Sequence, residues 1–267
     1  MLAAAASAAL IAFTPVVIHD SHDRYPLASA GARAPIARTS DTRPAAYGRE
    51  IPAKAGGRWL QYWLFYPNNA QDRGIVKTGR HDGDWELVQY RVDDDDQLLE
   101  AVYAQHSGAE RCGKSEVEFS GQPIVYAARG SHASYFHPGV RDRTWPDPND
   151  HADGKGEVIR PELVEISATN PPWMASQEPW GNSRARFFIP PEQSSPLGPR
   201  FQPDRWNPET FAANAGPCKP DCTAIDECDD GEHTLGIAAM FLFILVGITR
   251  AAAVRMKRDE ADENETN

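Results

Sequence analysis

Residues 59–66 read Trp-Leu-Gln-Tyr-Trp-Leu-Phe-Tyr, apolar at nearly every position and closed by Pro67-Asn68-Asn69. A run this rich in aromatics suits a β-strand, and apolar side chains on both faces of the pleat need cover on both sides. The stretch predicts a central strand of a buried sheet. Outward from it, residues 84–92 and 97–106 are two further strand-like runs, and the acidic tract Asp93–Asp96 between them suits an exposed hairpin tip. Shorter runs at 117–119, 123–128 and 133–136 add strands. The economical architecture is mainly β, an antiparallel β-sandwich occupying residues 57–170.

Past residue 170 the composition changes. Eleven of the 22 prolines fall between Pro171 and Pro220, which rules out a central strand or a long helix there. Trp173, Trp180, Phe187, Phe188, Phe201 and Trp206 stud the same stretch. Residues 171–232 are therefore expected to form a Pro- and Cys-rich C-terminal strap packed on the sandwich.

Two apolar segments bracket the chain. Leu2–Ile18 carries no charge and resembles the core of a signal peptide or an N-terminal anchor, assigned to residues 1–30. A polar linker, 31–56, follows. Residues 234–254, with Arg250 snorkelling, span ~31 Å at ~1.5 Å per residue and read as a single C-terminal transmembrane helix. Arg255, Lys257 and Arg258 then assign residues 255–267 to a cytoplasmic tail and the main domain to the extracytoplasmic side of an integral membrane protein. Cys112, Cys218, Cys222 and Cys228 lie on that oxidising side and fit two disulfides, with three pairings open. A zinc set of Cys218, Cys222, Cys228 and His233 competes, though its spacing matches no common finger. A formal charge of -11 argues against nucleic acid as a partner.

The chemistry concentrates in Gly79-Arg80-His81-Asp82-Gly83-Asp84-Trp85-Glu86. On a strand Asp84 and Glu86 share a face while Trp85 turns to the other. Adjacent carboxylates repel unless a cation or a proton joins them. His81 precedes the pair, and a hairpin closed at Asp93–Asp96 brings His106 opposite Gly83 or Asp84, depending on loop length. His132, in Arg129-Gly130-Ser131-His132-Ala133, follows a strand at a glycine bend. His81, Asp84, Glu86, His106 and His132 together form a candidate ligand set for one divalent cation: calcium, magnesium or manganese. The alternative is that His106 and His132 are ordinary histidines at the core edge.

Three of these stretches together, Trp59–Pro67, His81–Glu86 and Tyr126–Tyr135, resemble the vacuolar protein sorting sixty-two-like family. Pro179-Trp180-Gly181, Ser195–Pro199 and Arg205–Pro208 are similar to that family's C-terminal pattern, so the resemblance runs from about Gly57 to Pro208. It implies a trafficking role in eukaryotic cells and carries over no catalytic residue. A weaker likeness is to necrosis-inducing secreted toxins, whose Gly-His-Arg-His-Asp-Trp-Glu motif on a β-sandwich supports a divalent metal used in binding membrane sphingolipid glycans. Here the stretch carries one extra residue and one histidine fewer, with His81, Asp84 and Glu86 at matching positions.

These observations predict a membrane-tethered β-sandwich with a divalent-cation site that binds a glycan or a lipid headgroup. A metal-dependent hydrolase of a phosphate or glycosyl ester, with Asp84, Glu86 or His132 moving the proton, is the second reading. A structural envelope module is the third.

Overall fold

The structure, a computed structural model, describes residues 6–33, 41–71, 80–141, 143, 147–181 and 195–219. The aromatic run lies in strand β3 (Arg58–Asn69), paired antiparallel with β4 (His81–Val92) from Arg58 opposite Val92 to Asn69 opposite His81. On either side lie β2 (Ala45–Pro52) and β5 (Leu98–Gln105), then β13 (Glu162–Glu165) at one edge and β6 (Gly108–Gly113) with β14 (Gly216–Pro217) at the other. A smaller sheet places β1 (Val16–His19) between β12 (Val158–Ile159) and β8 (Gln122–Ala127), with β7 (Phe119–Ser120) and β9 (Ser134–Tyr135) beside β8, and β10 (Gly139–Arg141) pairs with β11 (Asp150–Ala152).

The period-2 geometry of β3 and β4 sorts their side chains into two cores. Leu60, Tyr62, Leu64, Tyr66, Val88 and Tyr90 point toward the smaller sheet and pack with Val17, Val125, Ala127 and Ile159. Trp59, Trp63, Phe65, Trp85 and Leu87 point the other way and are covered by Ile166, Trp173, Met174, Trp180 and Phe211 from the C-terminal stretch. Proline denies that stretch a strand ladder, so Trp173 and Met174 come from a short helical turn, Pro172–Ala175, and a second turn, Pro199–Phe201, follows. Two short helices follow: α2 (Pro203–Trp206) and α3 (Pro208–Asn214), the latter capped by the Asn207 side chain. Trp85 meets Trp180 edge-on at 5.0 Å between ring centroids, and Trp173 meets Trp180 at 5.1 Å.

Several expectations are corrected. The apolar N-terminal run is part of the fold: α1 (Ala8–Ala12) buries Leu10, and β1 runs parallel to β8 with Val17 opposite Val125 and fully buried. The segment read as a linker contains β2, a strand of the larger sheet. Strand pairing is not uniformly antiparallel, since β1–β8, β13–β2 and β14–β6 are parallel. The transmembrane helix and the single-span localisation are corrected too: no helix among the described residues is long and apolar enough to cross a membrane, and residues 234–254 lie outside them. One disulfide, Cys112–Cys218, ties β6 to the segment after α3 across 106 positions, while Cys222 and Cys228 lie outside the described residues.

Candidate functional site

The first turn of chemistry on β4 is set by Gly83, whose φ of +67° is open to glycine at little cost. A Cβ there would sit 2.7 Å from the Trp180 carbonyl oxygen, so the strap closes against this point of the strand. Immediately after it, Asp84 and Glu86 face the smaller sheet with Val88 and Tyr90, and Trp85 faces the strap. Both carboxyls are buried.

His132 reaches them from the loop after β8. Its own φ is +57°, in a turn where Gly130 is at +74° and the His132 amide donates to the Ala128 carbonyl. The ring, wholly buried, stacks on Tyr66 at 4.0 Å and 4°. Its Nδ1 lies 3.1 Å from Asp84 Oδ2 and its Nε2 lies 3.6 Å from Asp23 Oδ2, an ion-pair separation beyond hydrogen-bond length. Asp84 Oδ2 also accepts from Asn69 Nδ2. Asp23 faces His19 Nδ1 at 3.1 Å and accepts the backbone N–H groups of Arg24 and Tyr25 on its other oxygen.

Burial opposes charge on His132, but the carboxylates of Asp23 and Asp84 outweigh it and hold the imidazole up at about 9, so it is an imidazolium at neutral pH. Burial likewise opposes charge on Asp23, yet the adjacent His132 and the hydrogen-bonded His19 hold its carboxyl well below the usual range. Glu86 behaves in the opposite way. Burial first, then the neighbouring Asp84, pushes its carboxyl well above the ordinary range, and the opposing pull of Arg205 is weaker. Glu86 Oε2 and the Tyr66 hydroxyl are both buried without a hydrogen-bond partner among the described residues.

His106 sits in a different group. With φ at +54° it turns its Nε2 toward Asp150, which also accepts from Tyr135, Ser131 and Gln71. Burial raises the Asp150 carboxyl, but the His106 hydrogen bond and charge, with Tyr135 and Ser131, bring it down to about 2. His81 is occupied on one side, its Nδ1 lying 2.7 Å from the Gly83 carbonyl. Of the five residues singled out, Asp84, Glu86 and His132 thus share one buried cluster, His106 belongs with Asp150, and His81 flanks the cluster on β4. Among the described residues, the sets of three or more ligand atoms within 4.8 Å of one another are Asp20–His22–Asp153 and Glu110–Cys112–Cys218, neither containing any of the five.

The sequence reading missed Asp23, His19, Tyr66, Asp150 and Arg205. A signal for the first two was present: His19-Asp20-Ser21-His22-Asp23 places five polar residues directly after an apolar run. Above Asp23 opens a cleft of about 470 Å³ whose walls include His22, Arg24, Tyr25, Arg80, Arg129 and His151.

The family model of vacuolar protein sorting-associated protein 62 matches residues 50–184, which is half of the chain and includes β3, β4, His132 and Trp180. No curated protein matches. Among solved structures, the chain is similar to one titled "Toxin fold for microbial attack and plant defense", at 15% identity and a TM-score of 0.39, over 59% of this chain and 72% of that one. It is similar to another titled "NLPPya in complex with glucosamine", at 15% identity and 0.37, over 57% and 70%. A third, the non-toxic HaNLP3 protein, has 16% identity and 0.37, over 59% and 73%.

Proposed function

We propose a binding function for this chain, which belongs to the family of vacuolar protein sorting-associated protein 62: it takes a glycan or a similarly polar ligand in the cleft above Asp23, with a divalent cation held at Asp84 and Glu86. One observation carries the reading. Glu86 is a fully buried carboxyl beside a second one, with an oxygen that has no partner among the described residues. Such an atom is costly to leave unpaired, and a hard cation is a natural complement to it. Asp84 and Asp23 already have His132 between them, so the proton on Glu86 is the charge such an ion would replace. His81 would join through Nε2, its Nδ1 being engaged with Gly83. Water ligands would complete the shell, as is usual for calcium and magnesium. A cleft of about 470 Å³ is of the size that takes a small polar ligand.

The direct test is calorimetric titration of the metal-free protein with calcium, magnesium and manganese in two buffers of different ionisation enthalpy. The expected result is cation binding with release of about one proton at neutral pH, because metal affinity is coupled to ligand deprotonation. Glu86→Gln is expected to abolish the proton release. Absence of binding by all three ions, or binding with no proton released, contradicts the reading.

A further inference from the structure

We infer that the cleft above Asp23 is an anion site that receives the phosphate group of a phosphorylated ligand; the inference rests on the reading of this cleft as the ligand's seat. The chain carries a formal charge of -11, yet three arginines, Arg24, Arg80 and Arg129, line this one cavity. Arg24 and Arg129 are exposed, and their guanidinium groups have no hydrogen bond or ion pair among the described residues. On a chain with 38 acidic residues, arginines gathered in one concavity focus a positive potential there and raise the local concentration of anions.

The Asp23 carboxylate, which also lines the cleft, does not fill that role. One of its oxygens is directed inward to His19 and His132, and the other accepts the amides of Arg24 and Tyr25. Those contacts engage both oxygens of the carboxylate, so the Arg24 and Arg129 guanidinium groups are left open toward solvent. Arg129 is fixed at the rim, since its amide donates to the His151 carbonyl and the adjacent Gly130 carbonyl accepts from the Ala70 amide. The Tyr25 hydroxyl and the His151 ring, also without partners among the described residues, add hydrogen-bonding groups to the same wall. A phosphate presents several oxygens and up to two charges, which planar guanidinium forks bind in paired hydrogen bonds. A second cavity of about 610 Å³ shares Arg24 and Tyr25 with the first, and it gives the organic part of such a ligand a place beside the phosphate.

The test titrates the full chain with glucose 6-phosphate, inorganic phosphate and glucose, in the presence of chelator. Both phosphates are expected to bind, more weakly as salt rises, and glucose is not. Arg24→Gln and Arg129→Gln, at exposed positions, are each expected to weaken glucose 6-phosphate by about tenfold or more without moving the melting temperature. Phosphatidylcholine vesicles with and without phosphatidylinositol 4-phosphate identify the source. Selective pelleting with the phosphoinositide assigns a lipid headgroup, and binding confined to the soluble phosphates assigns a free one. Equal binding of glucose and glucose 6-phosphate, no binding of any phosphate, or wild-type affinity in both variants overturns the inference. Because chelator is present throughout, a failure of the cation reading leaves these results unaffected.

Discussion

At His132 the imidazolium lies 3.1 Å from Asp84 and 3.6 Å from Asp23, so its replacement by Asn removes the one positive charge placed between two buried carboxyls. Removing one partner from a buried charge group costs about 3–5 kcal/mol. Urea denaturation of His132→Asn is expected to show a loss of that size at neutral pH; a loss under about 1 kcal/mol contradicts the assignment. The pH dependence carries the same information. The folded imidazole titrates at about 9 against 6.5 when free, so its stabilisation is complete below pH 6.5 and disappears as pH rises through 9. Stability is therefore expected to fall between those values, by an amount on the order of 3 kcal/mol, with the fall largely absent in His132→Asn. Asp150, lowered to about 2 from 3.8, contributes at the other end: its stabilisation is present above pH 3.8 and is lost as pH drops through 2. Asp84, Glu86 and His132 were legible as a group because strand alternation and a glycine bend are local signals. Asp23 was not, since its partner His132 lies more than a hundred residues away and nothing local encodes that contact.

Strand β4 meets the strap along a seam of two glycines. A Cβ on Gly83 would lie 2.7 Å from the Trp180 carbonyl, and one on Gly181 would lie 2.5 Å from the Asp82 Cβ. Gly83→Ala adds a positive-φ strain to that clash and is expected to cost roughly 2 kcal/mol in chemical denaturation. A cost below about 0.5 kcal/mol would mean that the strap does not hold the start of β4. At this scale the sequence was informative wherever side chains alternate. Trp59–Tyr66 is apolar on both faces, and the structure covers both faces, one with the smaller sheet and one with Trp173, Trp180 and Phe211. It was less informative for a short, mostly buried strand: Val16–Ile18 continues an uncharged run that also suits a leader segment, and its parallel pairing with β8 is not visible locally. Parallel pairing requires a distant partner, which leaves no local pattern to read.

Across the whole molecule, the cation reading unites the buried carboxyl pair, the imidazolium beside it and the polar cleft above. Binding to the folded state alone stabilises it by RT ln(1 + [L]/Kd), ~2.7 kcal/mol at a hundredfold excess over Kd. The measurement that tests this most directly is the thermal melting of the full chain, stripped of metal and verified by elemental analysis, with calcium, magnesium and manganese added back in turn. Glu86→Gln serves as the control, because it leaves the Asp84–His132–Asp23 contacts in place. At least one ion is expected to raise the wild-type melting temperature by about 5–10 °C, reversed by chelator and absent in Glu86→Gln. A wild-type curve that none of the three ions moves, or an equal rise in Glu86→Gln, would contradict it.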